Sequence, residues 1–222
     1  MRAQSTLVRR VRLSGIGLHT GRHVRVVLHP ARADHGVVFY RSDVDAFIPA
    51  VAEAAGCSDH ATSLGGRGRD VATVEHLLSA AVGAGLDNLL VELDGPEVPI
   101  LDGSALPWLD GFETAGLVAL NARAVPFVPS RVLTVSESSG KKLEIRPARD
   151  LRFADEFVRH KALDLLGDLA LVGRPVLGHV VAHKAGHAMH ATLARLLREE
   201  SRATFAVRAA TPAHPEALTA RI

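Results

Sequence analysis

Aromatic residues and cysteine are scarce in this chain of 222 residues. Phe, Trp and Tyr together make up 4% of the sequence, and no basic cluster is interleaved with them, which disfavours a nucleic-acid-binding surface. Cys57 is the only cysteine, so the chain cannot form an internal disulfide. A single thiol is typical of proteins in a reducing compartment, and we therefore expect a cytoplasmic protein.

Long apolar runs are also missing. No run approaches the length of a membrane-spanning helix, and the stretch MRAQSTLVRRVRL lacks the apolar segment of a secretory signal. We therefore expect no stable membrane insertion. The 26 basic and 24 acidic residues nearly balance, so the pI near 9 is weak evidence for a nucleic-acid partner. Apolar residues (47%) and histidines (12) are plentiful, which predicts a folded core and makes the placement of the histidines informative.

The first half of the sequence consists of short alternating segments separated by glycine-rich turns, a pattern typical of β-strands. A Leu/Ala-rich segment, TVEHLLSAAVGAG, predicts a helix over residues 73–85 with Thr73 as its N-cap. Ser104 can cap a second helix that ends near Ala115. The predicted strands are residues 5–13, 23–30, 36–41 and 88–95.

The second half follows a proline-containing segment, NARAVPFVP, which predicts a linker over residues 121–129. The segments VLTVSE and KKLEIRP flank a Ser/Gly turn and predict a β-hairpin. The remaining predicted elements are a helix over residues 153–172, a strand over 175–183, a helix over 186–200 and a loosely held tail from Ser201.

This order of elements predicts an α+β fold, a two-layer sandwich of two domains of the β-α-α-β type. Strands and helices alternate in both halves, and the predicted linker separates them. The predicted parts are a first domain over residues 1–122 with Glu75 and His76, a second over 123–202 with His160, Asp164 and His187, and a loosely ordered tail over 203–222.

One stripe of the predicted helix 153–172 combines apolar and metal-binding side chains. Steps of three and four residues, which share a helix face, join Phe153, Phe157, His160, Asp164 and Asp168. Because the stripe begins with phenylalanines, we expect it to face inward, where a His/Asp pair needs a partner such as a metal ion. Imidazole and carboxylate ligands suit Zn²⁺. The alternative is an ordinary surface contact between the histidine and the carboxylate.

A glutamate and a histidine lie in the first turn of the predicted helix 73–85. A ligand histidine beside a glutamate supplies a metal and a base to the same water, so His76 is the best candidate for a third ligand and Glu75 for the base. The alternative is that Glu75 only interacts favourably with the helix dipole and that His76 is an ordinary amphipathic side chain.

Another candidate, His187 in HKAGHAMH, lies where a predicted strand gives way to a helix, a frequent place for a catalytic group. If Asp168 lies nearby, its carboxylate would keep the imidazole protonated and suited to general acid catalysis. The alternatives are a helix-start histidine without a role and a solvated aspartate. Lys161 and Lys184 could contact a substrate phosphate as point charges, although most lysines are simply solvated.

Several other histidines are rival metal ligands. The pair His183 and His187 has helical i, i+4 spacing, but Gly186 lies between them at the expected strand-to-helix boundary, so we prefer the pair His160 and Asp164. The motif GIGLHTG matches neither a P-loop nor a dinucleotide-binding fingerprint. The rivals are His19, His23, His29, His35, His60, His179, His183, His190 and His214.

Five segments taken together resemble one known family. In chain order they are GIGLHTG, TVEHLLSA, GLDNLLVELDGPEVPILDGSA, LRFADEFVRHKALDLLGDLAL and HKAGHA. The set is similar to UDP-3-O-acyl-N-acetylglucosamine deacetylase, the zinc amidase of lipid A biosynthesis, over residues 1 to 200 or so. The resemblance implies hydrolysis of the N-acetyl amide of a UDP-linked acylated amino sugar, which releases acetate in the committed step of that pathway.

The resemblance also implies roles for individual residues. The implied zinc ligands are His76, His160 and Asp164. Glu75 would be the general base, and His187 would act as general acid or stabilise the oxyanion, with Asp168 as its partner. The implied substrate contacts are Lys161, Lys184 and, with a weaker role, His19.

The chain departs from the family pattern where Asp150 is followed directly by Leu151. The family has a long stretch there, with further strands, a helix, an Ala-Arg-Thr-Phe segment whose threonine helps bind the reacting carbonyl, and a unit that lines the acyl-chain passage. We therefore expect an incomplete second domain whose sheet is short of strands. The alternative function is a shortened, non-catalytic family member that binds a ligand or partner without turnover. We expect a monomer.

Overall fold

The computed structural model describes residues 2–57, 61–147, 156–183 and 185–210, and it does not describe the side chains of residues 57, 146–147, 156–161, 183 and 203–210. Strands and helices are mixed along the described chain, which confirms the predicted α+β class. The helices are α1 (Glu75–Ala84), α2 (Leu106–Ala115), α3 (Glu156–Leu169) and α4 (His187–Ala210).

The strands of the first half form three sheets. They are β1 (Ala3–Leu7), β2 (Val11–Ile16), β3 (His23–Pro30), β4 (Val37–Arg41), β5 (Ala46–Pro49), β6 (Ala55–Cys57), β7 (Thr62–Leu64), β8 (Val71–Ala72), β9 (Leu89–Leu93) and β10 (Leu117–Arg123). The largest sheet has five strands in the order β2-β3-β9-β4-β5, where β4 and β9 run parallel and the other neighbours antiparallel. The strand β1 pairs with β10, and β6, β7 and β8 form a third, antiparallel sheet.

The alternation of apolar and polar residues in β3 sets one face of the five-stranded sheet toward the core. Val24, Val26 and Leu28 are buried, whereas the residues between them are exposed or half-buried. Helix α1 lies against this core and is buried from Glu75 through Ala81, as its Leu/Ala-rich sequence predicts. It ends at Gly85, whose φ of 70° is the left-handed conformation that favours glycine.

Thr73 is not the N-cap of α1, so this part of the sequence prediction is wrong. The cap position belongs to Val74, and the Thr73 hydroxyl instead donates a hydrogen bond of 2.9 Å to Glu97 Oε1. Ser104 likewise stands one position before the cap of α2, which is Ala105, although its Oγ accepts a hydrogen bond of 3.1 Å from the backbone N–H of Leu106, the first residue of that helix. The predicted N-cap is therefore wrong by one position at both helices, and at α1 a side chain distant in sequence also competes for the hydroxyl.

The second half has a smaller sheet of three antiparallel strands, in the order β11-β12-β13. These strands are β11 (Leu133–Ser136), β12 (Lys142–Pro147) and β13 (Gly178–His183). The first two form the predicted hairpin, with Gly140 at φ 82° in its turn. Helix α4 continues to Ala210, beyond the predicted end at residue 200, and Ser201 is buried. Residues 211–222 of the predicted tail lie outside the described residues.

The two halves share one hydrophobic core, and helices α1 and α3 meet inside it. Gly167 makes this contact close, because a Cβ at this position would overlap the backbone carbonyl oxygen of Glu75. The close approach of two helix backbones at a small residue brings side chains from both halves of the chain to one place.

Candidate active site

Glu75, the first residue of α1, has a buried carboxylate that contacts β7. Its Oε2 accepts a hydrogen bond of 3.3 Å from the backbone N–H of Thr62 on β7. Burial raises the pKa of Glu75 to about 7, against the opposing effects of its hydrogen bonds and of the nearby His187. A carboxylate with such a pKa is suited to accept a proton near neutral pH.

The predicted metal ligands lie on α1 and α3. His76 follows Glu75 in the first turn of α1, and its side chain is buried. Asp164 is buried on α3, three residues before Gly167. The backbone of His160 lies in the same helix, one turn before Asp164, but its side chain is outside the described residues. The structure thus places two of the three predicted ligands on facing helices, and the third remains a prediction.

Asp168, one turn beyond Asp164 on α3, is the centre of a buried hydrogen-bonded cluster. Its side chain is 0% exposed. His187 Nδ1–H and His190 Nδ1–H each donate to Asp168 Oδ2 at 2.8 Å. The hydroxyl of Thr62 donates to Asp168 Oδ1 at 2.5 Å and also lies 3.1 Å from His187 Nδ1. The predicted partnership between Asp168 and His187 is therefore present as a direct hydrogen bond.

The charges in this cluster follow from the contacts. Burial favours the neutral form of Asp168, but hydrogen bonds from His187 and His190 outweigh it and lower the pKa of this carboxyl below its ordinary value. The hydrogen bond to Asp168 raises the pKa of His187, against the effect of burial, and the nearby carboxylates of Glu75 and Asp164 act in the same direction. The cluster therefore favours an ionised Asp168 and a protonated His187.

Thr62 links the two catalytic candidates that the sequence places far apart. Its backbone N–H contacts Glu75, and its hydroxyl contacts the pair formed by Asp168 and His187. A potential base from α1 and a potential acid from α4 thus share one neighbour on β7. No sequence pattern pointed to Thr62, since it lies in a short strand without a motif.

His190 is the second residue whose place in the cluster the sequence did not reveal. It was one of many rival histidines, although its i, i+3 spacing from His187 already predicts a shared helix face. Together Asp168, His187 and His190 form a group able to hold a metal ion, with one possible ligand atom of each within 4.8 Å of the others. In the structure, however, both Nδ1 atoms are used in hydrogen bonds to the carboxylate.

The residues predicted to contact substrate are described only in part. The backbone N–H of His19 donates to Glu97 Oε1 at 3.0 Å, the same oxygen that accepts from Thr73 two residues before α1. This shared carboxylate holds the GIGLHTG loop next to the start of α1, with the His19 side chain exposed. The backbone of Lys161 lies in α3, and its side chain is outside the described residues, as is all of Lys184.

The described helices include none that is both long enough and apolar enough to cross a membrane.

Comparison with known proteins identifies the family. The sequence model of the LpxC family, described as UDP-3-O-acyl N-acetylglycosamine deacetylase, matches residues 4–151 and 147–199. The UDP-3-O-acyl-N-acetylglucosamine deacetylase of Myxococcus xanthus is 35% identical over an alignment of 268 positions, which covers 86% of this chain and 85% of its own length. The proteins of the same name from Thermosynechococcus vestitus and Solibacter usitatus are 34% and 36% identical, covering 89% and 90% of this chain and 94% and 93% of their own.

The same comparisons locate the departure from the family. The match to the family sequence is split, and its two parts meet at residues 147–151, where the sequence predicts a missing stretch. The alignment with the Myxococcus xanthus protein spans 268 positions, more than the 222 residues of this chain, so that relative has residues without a counterpart here. The candidate site residues lie within the two matched parts, Glu75 and His76 in the first and Asp164, Asp168 and His187 in the second. The chain belongs to the UDP-3-O-acyl-N-acetylglucosamine deacetylase family.

Proposed function

We propose that this protein hydrolyses the N-acetyl amide of UDP-3-O-acyl-N-acetylglucosamine and releases acetate, the committed step of lipid A biosynthesis, with the help of zinc. The observation that carries the proposal is the link through Thr62 between Glu75 and the pair of Asp168 and His187. Amide hydrolysis needs a base for the attacking water and an acid for the leaving amine, and this arrangement supplies one of each.

Three side chains would hold the zinc ion: His76, His160 and Asp164. Two features support this set, the burial of His76 and Asp164 and the close contact between their helices at Gly167. A combination of imidazole and carboxylate ligands suits Zn²⁺ and leaves a position open for substrate or water. A zinc ion bound there would polarise the amide carbonyl and make water more acidic.

The side chains of the chain itself would carry the proton transfers. Glu75 accepts a proton from the attacking water, which suits a carboxyl group with a pKa of about 7. His187 is held by Asp168 through Nδ1–H, and its Nε2–H would stabilise the oxyanion or protonate the leaving nitrogen. Since Asp168 stays ionised, it fixes both the orientation and the charge of the imidazole.

The proposal also covers substrate contacts, cellular location and oligomeric state. Lys161, Lys184 and His19 would contact the UDP-sugar, with the two lysines as point charges toward its phosphates. Support for a role of His19 comes from Glu97, which ties the His19 loop to the start of α1. We also propose that the protein is cytoplasmic, on the basis of the single cysteine, and that it is a monomer.

A second candidate function is binding without turnover. It is favoured by the split family match at residues 147–151 and by the sheet of the second half, which has three strands among the described residues. In the family, the missing stretch carries an oxyanion contact and lines the acyl-chain passage. A chain without it could keep the metal site and lose productive binding of the substrate.

Acetate release and zinc content, measured on the same samples, test the proposal. Intact-mass analysis first verifies the purified chain. The wild type should contain about one zinc per chain and release acetate from UDP-3-O-acyl-N-acetylglucosamine. Glu75→Gln should keep zinc and lose turnover, whereas Asp164→Asn should lose both. Glu113→Gln, on the exposed face of α2, is the matched control and should behave as wild type. A wild type that binds zinc without releasing acetate would support the second function instead.

A further inference from the structure

His190 is a buried histidine for which the proposed reaction has no role. It lies on α4, one turn beyond His187, and its side chain is 2% exposed. Its Nδ1 is 2.8 Å from Asp168 Oδ2, the oxygen that also accepts from His187. The ring of this histidine is directed at the carboxylate that holds the candidate acid.

Three donors surround the Asp168 carboxylate on two different elements. Thr62 on β7 donates to Oδ1, and His187 and His190 on α4 donate to Oδ2. An ionised carboxylate accepts hydrogen bonds and has no proton to donate. Both imidazoles must therefore carry a proton on Nδ1. The tautomer of His190 is thus determined by the same oxygen that determines the tautomer of His187.

The second imidazole restricts the motion of the carboxylate. Rotation about the bond to an aspartate carboxyl group has little intrinsic preference, so the hydrogen bonds to its two oxygens set its orientation. Thr62 is the donor to Oδ1, and His187 is one of two donors to Oδ2. His190 adds a charge-assisted hydrogen bond to Oδ2, and the rigid turn of α4 between residues 187 and 190 fixes the distance between the two donors. The orientation of His187 therefore depends on Asp168 and, through this carboxylate, on His190.

We propose that His190 is a positioning residue, which holds the Asp168 carboxylate in the orientation that directs His187 toward the reacting amide. The kinetic consequence rests on the proposed deacetylase function, whereas the structural consequence for His187 does not. Partners that orient a functional group in this way typically change activity by ~10–100-fold when they are removed.

Two substitutions separate a positioning role from simple packing. His190→Leu keeps an apolar group of similar bulk and removes the donor, whereas His190→Asn places its amide N–H close to where Nδ1–H lies. We expect His190→Leu to lower kcat by ~10–100-fold with unchanged KM and zinc content, and His190→Asn to stay within roughly threefold of wild type. The proposal is overturned if His190→Leu keeps the wild-type kcat, or if both variants lose the same amount.

A spectroscopic measurement decides the proposal even if the chain shows no turnover. In the proton NMR spectrum, the Nδ1–H of His187 should give a downfield signal protected from exchange in the wild type and in His190→Asn. In His190→Leu this signal should broaden or exchange faster, because the carboxylate that accepts it has lost one of its two donors on Oδ2 and is held less firmly. An unchanged His187 signal in His190→Leu would refute the positioning role whatever the activity of the protein.

Discussion

The two halves of the chain differ in how much sheet supports their helices. In the first half, α1 lies against a core that includes the central strands of a five-stranded sheet. In the described part of the second half, α3 and α4 accompany a sheet of three strands. The family match is continuous through the first half and splits in the second, at residues 147–151.

The candidate site draws on both halves, but it does not depend on the smaller sheet. The first half supplies Thr62, Glu75 and His76. The second half supplies Asp164 and Asp168 from α3 and His187 from α4. Contacts between helices, such as the one at Gly167, hold these residues together. A sheet of three described strands is therefore compatible with an arrangement that brings the candidate metal-binding and proton-transfer residues together, because the shared core passes through the helices.

The largest expected effect on turnover comes from removing the charge of Asp168, which lies at the centre of the cluster with His187 and His190. Asp168→Asn removes the charge that holds His187 protonated and should lower turnover by ~10²–10⁴-fold. Acetate release measures this, and circular dichroism checks the fold. Asp110→Asn, at an exposed position of α2, is the control. Turnover within about threefold of wild type would mean that the cluster on α3 and α4 takes no part in the reaction.

Core truncations in the two sheets test whether the halves unfold together. Leu89 on β9 and Leu143 on β12 are both fully buried in the central strand of their sheet. Leu89→Ala and Leu143→Ala should each cost about 2–5 kcal/mol of unfolding free energy. Because the halves share one core, both should shift the same denaturant transition. Two separate transitions, one sensitive to each variant, would instead support the predicted domains over residues 1–122 and 123–202 as independent units.

Removing the buried charge of Glu75 should stabilise the metal-free protein at alkaline pH. Its pKa is raised to about 7 in the folded state from an ordinary value of 4.5, so the folded state binds the proton more tightly. Relative to the ionised form, the protonated form of Glu75 stabilises the folded state. This contribution is fully present below pH 4.5 and is lost as the pH rises through about 7. Glu75→Gln should therefore match wild type near pH 4 and exceed its stability at pH 8, by on the order of 3 kcal/mol.

Thermal melts of chelator-treated protein at the two pH values measure this difference. Glu113→Gln on the exposed face of α2 should show no such dependence on pH. If the difference in stability between Glu75→Gln and wild type were the same at both pH values, burial would not perturb the pKa of this carboxyl group.

The smallest expected effects concern two helical glycines, one in each half. Gly167→Ala should force α1 and α3 apart at Glu75 and cost about 1–3 kcal/mol, with a loss of turnover. Gly83 on α1 has open space around it, so Gly83→Ala should stabilise the protein by up to ~1 kcal/mol and leave turnover unchanged. Denaturant unfolding and acetate release measure both. Equal behaviour of the two variants would contradict the close contact between the halves.

Much of the fold could be predicted from the sequence because its signals are local. Apolar alternation predicted β3, and the Leu/Ala-rich pattern predicted α1. The helical spacing of Asp164 and Asp168 predicted an inward-facing stripe, and both side chains are buried on α3. The resemblance in motifs predicted the pairing of Asp168 with His187, which spacing alone could only suggest.

The remaining features depend on contacts between distant parts of the chain. Thr73 failed as a cap because Glu97, 24 positions away, accepts its hydroxyl. Thr62 reaches Asp168 across 106 positions, and no local pattern announces such a contact. His190 had the right spacing, but its role depends on the direction of a carboxylate on another helix.

The proposed reaction requires that α1 and α3 bind one zinc ion between them. X-ray diffraction from zinc-loaded crystals, collected on both sides of the zinc absorption edge, locates that ion. We expect one anomalous peak in contact with His76, His160 and Asp164. A peak bound instead by Asp168, His187 and His190, or no peak near α1, would contradict it.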